Sequence, residues 1–177
     1  ALRGALQMVL AEISLCEQAM RDSEEQLARW HADDDIVHKL DEVSGIGLLT
    51  ASALKTAVGK PERFASGRHL SAWLGMTPNE YSSGERRRLG CISCKGNTYV
   101  RTLLIHGARA ALLAAKRCQT RTPERLTQLQ RWALQTAERI GHNKAAVALA
   151  NKLVRICWAV WCHERRFSGD WQSARPA

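Results

Sequence analysis

The chain has 177 residues, of which 45% are hydrophobic, with only 4 Pro and 12 Gly; this is enough to bury a core and excludes a wholly disordered or collagen-like polymer. Lys and Arg number 26 against 17 Asp and Glu, a formal charge of +9, so a polyanion is the first partner to consider. Residues 1–60 carry 6 basic and 10 acidic side chains and residues 61–177 carry 20 and 7, which places the expected anion-binding surface beyond residue 60. There is no run of about 18 apolar residues and no basic-then-apolar start, so nothing points to a membrane or to export, and the expected compartment is the cytoplasm. The chain begins at Ala1 inside a periodic pattern, without an initiator Met, and is expected to be a piece of something longer.

Leu2, Leu6, Val9, Ile13, Cys16, Met20, Ser23, Leu27 and Trp30 alternate spacings of four and three, the a/d seam of a coiled coil. One long helix is predicted over residues 2–31, with residues 1–34 as a coiled-coil unit whose seam calls for a second copy or an antiparallel helix supplied upstream; a helix packed on its own domain is the alternative. Asp33, Asp34 and Asp35 read as a solvated cluster at a helix start rather than a metal site, because consecutive side chains point in different directions. A short helix is predicted over residues 36–43. It is followed by Gly45, Ile46 and Gly47 and by a second helix rich in Ala and Leu. This pattern resembles a helix-hairpin-helix motif, in which glycines with positive φ let the N–H groups at a helix start approach a phosphate. A plain helix-helix turn with no ligand is the alternative.

Gly59 and Pro61 close that helix, Ser66 is predicted to cap the next, and Gly75 ends it. The stretch from Met76 to Gly96 reads as a long loop dense in Ser, Gly and Arg, of the kind that is functional or disordered. Asn97 is predicted to cap a helix through Ala115, a further helix runs from about Leu126 to Ile140, and a last one starts near Asn143. No convincing strand alternation is present, so the predicted fold is all-α: a long N-terminal helix, then a helical domain over residues 35–166 and a frayed tail over 167–177.

The loop offers Ser82 and Ser83 beside Gly84 and the cations Arg86, Arg87, Arg88, Lys95 and, further on, Arg101. A serine that attacks phosphorus needs exposure and positive donors to hold the phosphate. A loop of this composition can also do no more than contact nucleic acid, and both readings stand on composition. Cys91 and Cys94 have the spacing of half a zinc site, but no second pair exists, so no metal is assigned. The six cysteines are expected to be free thiols, His106 to be packed, and the tryptophans to belong mostly to the core.

Three segments together carry a resemblance. Val43-Ser-Gly-Ile-Gly47 with Thr50-Ala51, then Arg63-Phe64 and Arg68 through Gly84 with its Trp73, Pro78, Tyr81 and Ser83, then Ile92 through Asn97 with Arg101 are similar to the C-terminal domain of bacterial insertion-sequence transposases of the 110/116/902 group. His142-Asn143-Lys144-Ala145-Ala146 resembles the closing helix of that domain. The resemblance implies a DNA transposase or site-specific recombinase whose nucleophilic serine lies in a Tyr-x-Ser-Gly position, here Ser83. It implies a transient phosphoserine link to DNA, with Gly45, Ile46, Gly47, Arg86, Arg87, Arg88, Lys95, Asn97 and Arg101 as expected DNA contacts. It further implies an element-encoded noncoding guide RNA, assembly as a dimer or tetramer through the coil, and Mg²⁺ held by a separate RuvC-like domain. That domain has no counterpart in these 177 residues, so the chain alone is expected to bind nucleic acid without completing recombination. The alternative reading is a non-catalytic helix-hairpin-helix DNA-binding module or an inactive transposon remnant.

Overall fold

The computed structural model describes residues 2–84, 86 and 88–170, which divide into two compact units at Asp34 and Asp35. In the first unit the three/four spacing produces a single helix, α1 (Leu2–Trp30), with no buried residue. Its length is roughly 44 Å at the α-helical rise. Val9 and Ile13 on the predicted seam are 51% and 49% exposed. A lone helix that buries nothing draws its stability only from propensity and local pairs such as Arg21 with Glu17, which is little. His31 Nδ1 meets Asp34 Oδ2 at 3.2 Å and closes the unit.

The second unit runs α2 (Asp35–Asp41), α3 (Leu48–Val58), a 3₁₀ turn at Pro61–Arg63, α4 (Gly67–Trp73), β1 (Pro78–Glu80), β2 (Leu89–Ile92), α5 (Thr98–Arg121), a second 3₁₀ turn at Pro123–Arg125, α6 (Gln128–Ile140) and α7 (His142–His163). The described residues are mostly helical. Helix boundaries follow local chemistry: Ser66 accepts from His69 N, Asn97 Oδ1 accepts from Val100 N at 3.1 Å, and Thr127 forms a capping box with Gln130, each satisfying N–H groups that a helix start leaves open. Helices α5 and α7 form the centre, with α7 packed on α4, α5, α6 and α2. Leu40, Leu54, Leu70, Leu104, Leu112 and Leu153 are fully buried, and Ala108, Ala115, Ala146 and Ala150 between them let the helices approach closely. In length and composition α7 would suit a membrane span; its apolar residues are instead the core, with Leu149, Leu153, Val154 and Cys157 buried.

Four features differ from the sequence reading. The stretch read as loop contains an antiparallel hairpin, β1 with β2, with a register irregularity between Pro78 and Glu80. Its strands are three and four residues long and largely exposed on both faces, so no in-out alternation announced them. Part of the tail read as frayed lies against α6: Leu129 N donates to Gly169 O at 3.1 Å and Gln128 N to Asp170 Oδ1 at 2.9 Å, the carboxylate complementing a helix start. Residues 171–177 lie outside the described residues. His106 is exposed rather than packed. Among the tryptophans Trp161 is buried, Trp132 and Trp158 are half-buried, and Trp30 and Trp73 are exposed.

Candidate active site

Gly75 and Gly96 bracket the hairpin and form its root. Both have positive φ, +72 and +105, and both lie against backbone: a Cβ on Gly75 would fall 1.9 Å from Lys95 O, and one on Gly96 2.1 Å from Trp73 O. Only glycine permits such an approach at such dihedrals. Between them Cys94 N donates to Gly75 O at 3.1 Å and Ser93 N to Thr77 O at 2.8 Å. Met76 buries its side chain and donates its N–H to Ser71 O at 3.0 Å, tying the root to α4.

From this root the ladder projects outward. Tyr81 N donates to Arg88 O at 2.8 Å, and the Tyr81 ring covers Gly90, whose missing side chain leaves room for it. At the far end Ser83 and Arg86 face each other: Ser83 N donates to Arg86 O at 3.3 Å and Arg86 N to Ser83 O at 3.1 Å, across a turn whose Gly84 has φ +55. The two neighbouring serines are therefore in different situations. Ser82 Oγ donates to Glu80 Oε1 at 2.7 Å and accepts from Arg88 N at 3.1 Å, so its hydroxyl is engaged within the hairpin. Ser83 is exposed at the tip, and among the described residues its Oγ has no hydrogen-bond partner. Arg86, Arg88 and Lys95 are also exposed; Arg87 lies outside the described residues.

The remaining predicted residues fall elsewhere. Asn97 is exposed at the start of α5, where its side chain caps the helix. Arg101 is not a surface donor: it is 7% exposed, and its guanidinium donates from Nη1 to Leu74 O and from Nη2 to Thr98 Oγ1, both at 3.1 Å. Gly45 has φ +92 and packs on α5, where a Cβ would lie 2.9 Å from Gly107 O. Ile46 is buried. Gly47 differs from the expectation of positive φ: it is the N-cap of α3 with φ −94 and open space around its Cα. The Gly-Ile-Gly turn meets α5 at Gly107, ten residues beyond Asn97, so the turn and the hairpin root are roughly 15 Å apart along that helix. The structure thus groups Ser83, Arg86 and Arg88 on one projecting element, with Lys95 and Asn97 at its base and the glycine turn apart. Asn151 of α7 was missed in the sequence. Its Nδ2 donates to Met76 O at 3.0 Å, and the available signal was one amide within the apolar run of α7.

The cysteines are free. Burial pushes the Cys157 thiol up to about 12. Lys152, lying 4.1 Å above the Trp132 ring, has its pKa lowered first by burial and then by the Arg155 charge. Among the described residues no three His, Cys, Asp or Glu side chains come together that could hold a metal ion.

A model of the transposase IS116/IS110/IS902 family matches residues 37–123, which span α2 to the second 3₁₀ turn and include the whole hairpin. A Pseudomonas aeruginosa protein named "Probable family 20 transposase" is 40% identical over 153 residues, 86% of this chain and 43% of its own length. The transposase for insertion sequence element IS1111A of Coxiella burnetii is 34% identical over 166 residues, covering 94% of this chain and 44% of that one. The transposase for insertion sequence element IS1328 of Yersinia enterocolitica is 35% identical over 154 residues, 87% and 44%. The chain spans less than half the length of these relatives.

Proposed function

Because the chain belongs to the IS116/IS110/IS902 transposase family, we propose that it is the serine-bearing part of a DNA transposase or recombinase, with Ser83 as the nucleophile. The observation that carries this reading is the contrast at the hairpin tip. Ser83 is exposed, without a partner among the described residues and opposite Arg86, while Ser82 is held by Glu80 and Arg88.

In this reading Ser83 Oγ attacks the phosphorus of a DNA phosphodiester and its proton passes to solvent, which also protonates the leaving oxygen. A phosphoserine bond forms, one bridging P–O bond breaks, and the sugar oxygen leaves and takes up a proton. Transfer of the phosphoryl group to a second DNA end reverses these steps and frees the serine. Arg86 and Arg88, with Arg87 between them, supply cations beside the developing charge, and Lys95 and Asn97 hold flanking backbone. The open, uncapped start of α3 at Gly47 is proposed as a separate, sequence-indifferent grip on the duplex through backbone N–H groups, with Gly45 and Ile46, whose own N–H donates to Val43 O, shaping the turn that presents it. Among the described residues no three His, Cys, Asp or Glu side chains come together as a metal site, and the Mg²⁺ implied by the resemblance is proposed to bind elsewhere in the full-length protein. The exposed seam of α1 pairs copies of the chain into a dimer or tetramer, a guide RNA chooses the sequences joined, and the reaction takes place in the cytoplasm.

The test is Ser83→Ala in the full-length protein. Strand exchange should fall by at least about 10³-fold while DNA affinity stays within about twofold, since backbone and arginine contacts persist. Retained exchange would remove Ser83 from the mechanism. Salt-sensitive DNA binding with no covalent adduct in the unsubstituted protein would leave a non-catalytic binding module.

A further inference from the structure

We infer that Arg101 and Asn151 are positioning residues that together clamp the root of the hairpin and so set where its tip points. A two-stranded hairpin is marginal in isolation, and this one has little burial to support it: the residues of β1 and β2 are exposed or half-exposed. Its orientation is therefore decided where it leaves the helical body.

At that place two side chains from the two central helices reach the backbone on either side of Gly75. Arg101, from the first turn of α5, donates to Leu74 O, and Asn151, from the middle of α7, donates to Met76 O. The carbonyls belong to the last residue of the α4 cap and the first residue of the stem, separated by a glycine at φ +72. Fixing the peptides on both sides of a left-handed residue fixes the direction in which the chain leaves it. The chemistry suits the task. The end of α4 carries a partial negative charge, which a cation at Leu74 O complements, and the planar guanidinium holds Thr98 with its other arm. Among the described residues Arg101 has no carboxylate in ion-pair reach, so its buried charge is supported by these oxygens and the helix end. Neither side chain touches the tip; each acts on Ser83 through the root and ladder.

The link to catalysis rests on the proposed role of Ser83; the clamp itself does not, and the two are tested separately. Hydrogen exchange on the whole 177-residue chain judges the clamp. Asn151→Leu removes the donor while keeping the number of side-chain heavy atoms and their branching. It should speed exchange at Ser93 N, Cys94 N and Tyr81 N by about fivefold or more, the scale of one lost hydrogen bond, while the slow amides around Leu104 and Leu153 stay unchanged. Arg101→Lys, which keeps a charge and donates from a single nitrogen, should restore much of the protection lost in Arg101→Met; if Arg101→Met fails to fold, Asn151→Leu decides alone. Unchanged hairpin amides, or a uniform acceleration that includes the core, would overturn the inference. In the full-length protein Asn151→Leu should lower the rate of covalent adduct formation about tenfold with DNA affinity within twofold; an unchanged rate would overturn the catalytic half of the inference. If the unsubstituted protein forms no adduct at all, the Ser83 reading fails, and the exchange result still judges the clamp.

Discussion

The centre of the second unit and the hairpin that projects from it are held by different forces. Around α5 and α7 stability comes from apolar side chains at complete burial, Leu104, Leu112 and Leu153 among them, and helical periodicity made that region readable. Among the described residues of 78–92 there is almost no burial; the order comes from ladder hydrogen bonds, from Tyr81 lying over Gly90 and from two glycines packed into opposing backbone at the root. A body made by burial is rigid and tolerates little. A projection made by hydrogen bonds can present polar groups to a large charged ligand without first removing them from a core.

The largest expected effects sharpen that contrast. Leu153→Ala should cost about 2–5 kcal/mol in a denaturation experiment, whereas Leu89→Ala, at a side chain 46% exposed on β2, should cost less than about 0.5 kcal/mol. Equal losses would mean that the hairpin is part of the core after all. Next come the glycines. Gly75→Ala places a methyl group into the Lys95 backbone at a left-handed φ and should cost about 3 kcal/mol. Gly84→Ala, at φ +55 with open space around it, meets only the intrinsic penalty of about 1 kcal/mol.

A smaller effect is set by pH. Burial raises the Cys157 thiol from 9.0 to about 12, so between those values the folded protein keeps a proton that the unfolded chain releases. The stability tied to this group is complete below about pH 9 and declines as pH rises above it. Cys157→Ala should remove that component of the alkaline decline, measured as denaturation midpoints between pH 8 and 10.5. At neutral pH a thiol reagent should modify exposed Cys91 at least about 10²-fold faster than Cys157.

The helices were legible because their spacing and caps are local: Ser66, Asn97 and the Thr127–Gln130 pair each satisfy nearby N–H groups. The hairpin was not, because its strands are too short and too exposed to alternate, and its evident punctuation, Gly75 and Gly96, marks a root only once each is seen against distant backbone. The site was legible in part. Ser83 and its arginines stood out by type and by resemblance, but the difference between Ser82 and Ser83 depends on which hydroxyl the ladder engages. Arg101 reads as one more cation in a basic segment; only its depth and its bond to Leu74 O show that it faces inward. The Gly-Ile-Gly turn divides likewise, Gly45 being required by contact with Gly107 and Gly47 by no internal contact.

In the proposed reaction the hydroxyl left open at the tip, and not its neighbour, takes over the phosphodiester. The direct measurement is to trap the full-length protein on a nicked suicide DNA, digest the denaturation-resistant complex and map the modified residue by mass spectrometry. A nucleotide remnant is expected on Ser83 and none on Ser82. A remnant on Ser82 or any other side chain, or a complex that denaturant dissolves completely, would contradict it.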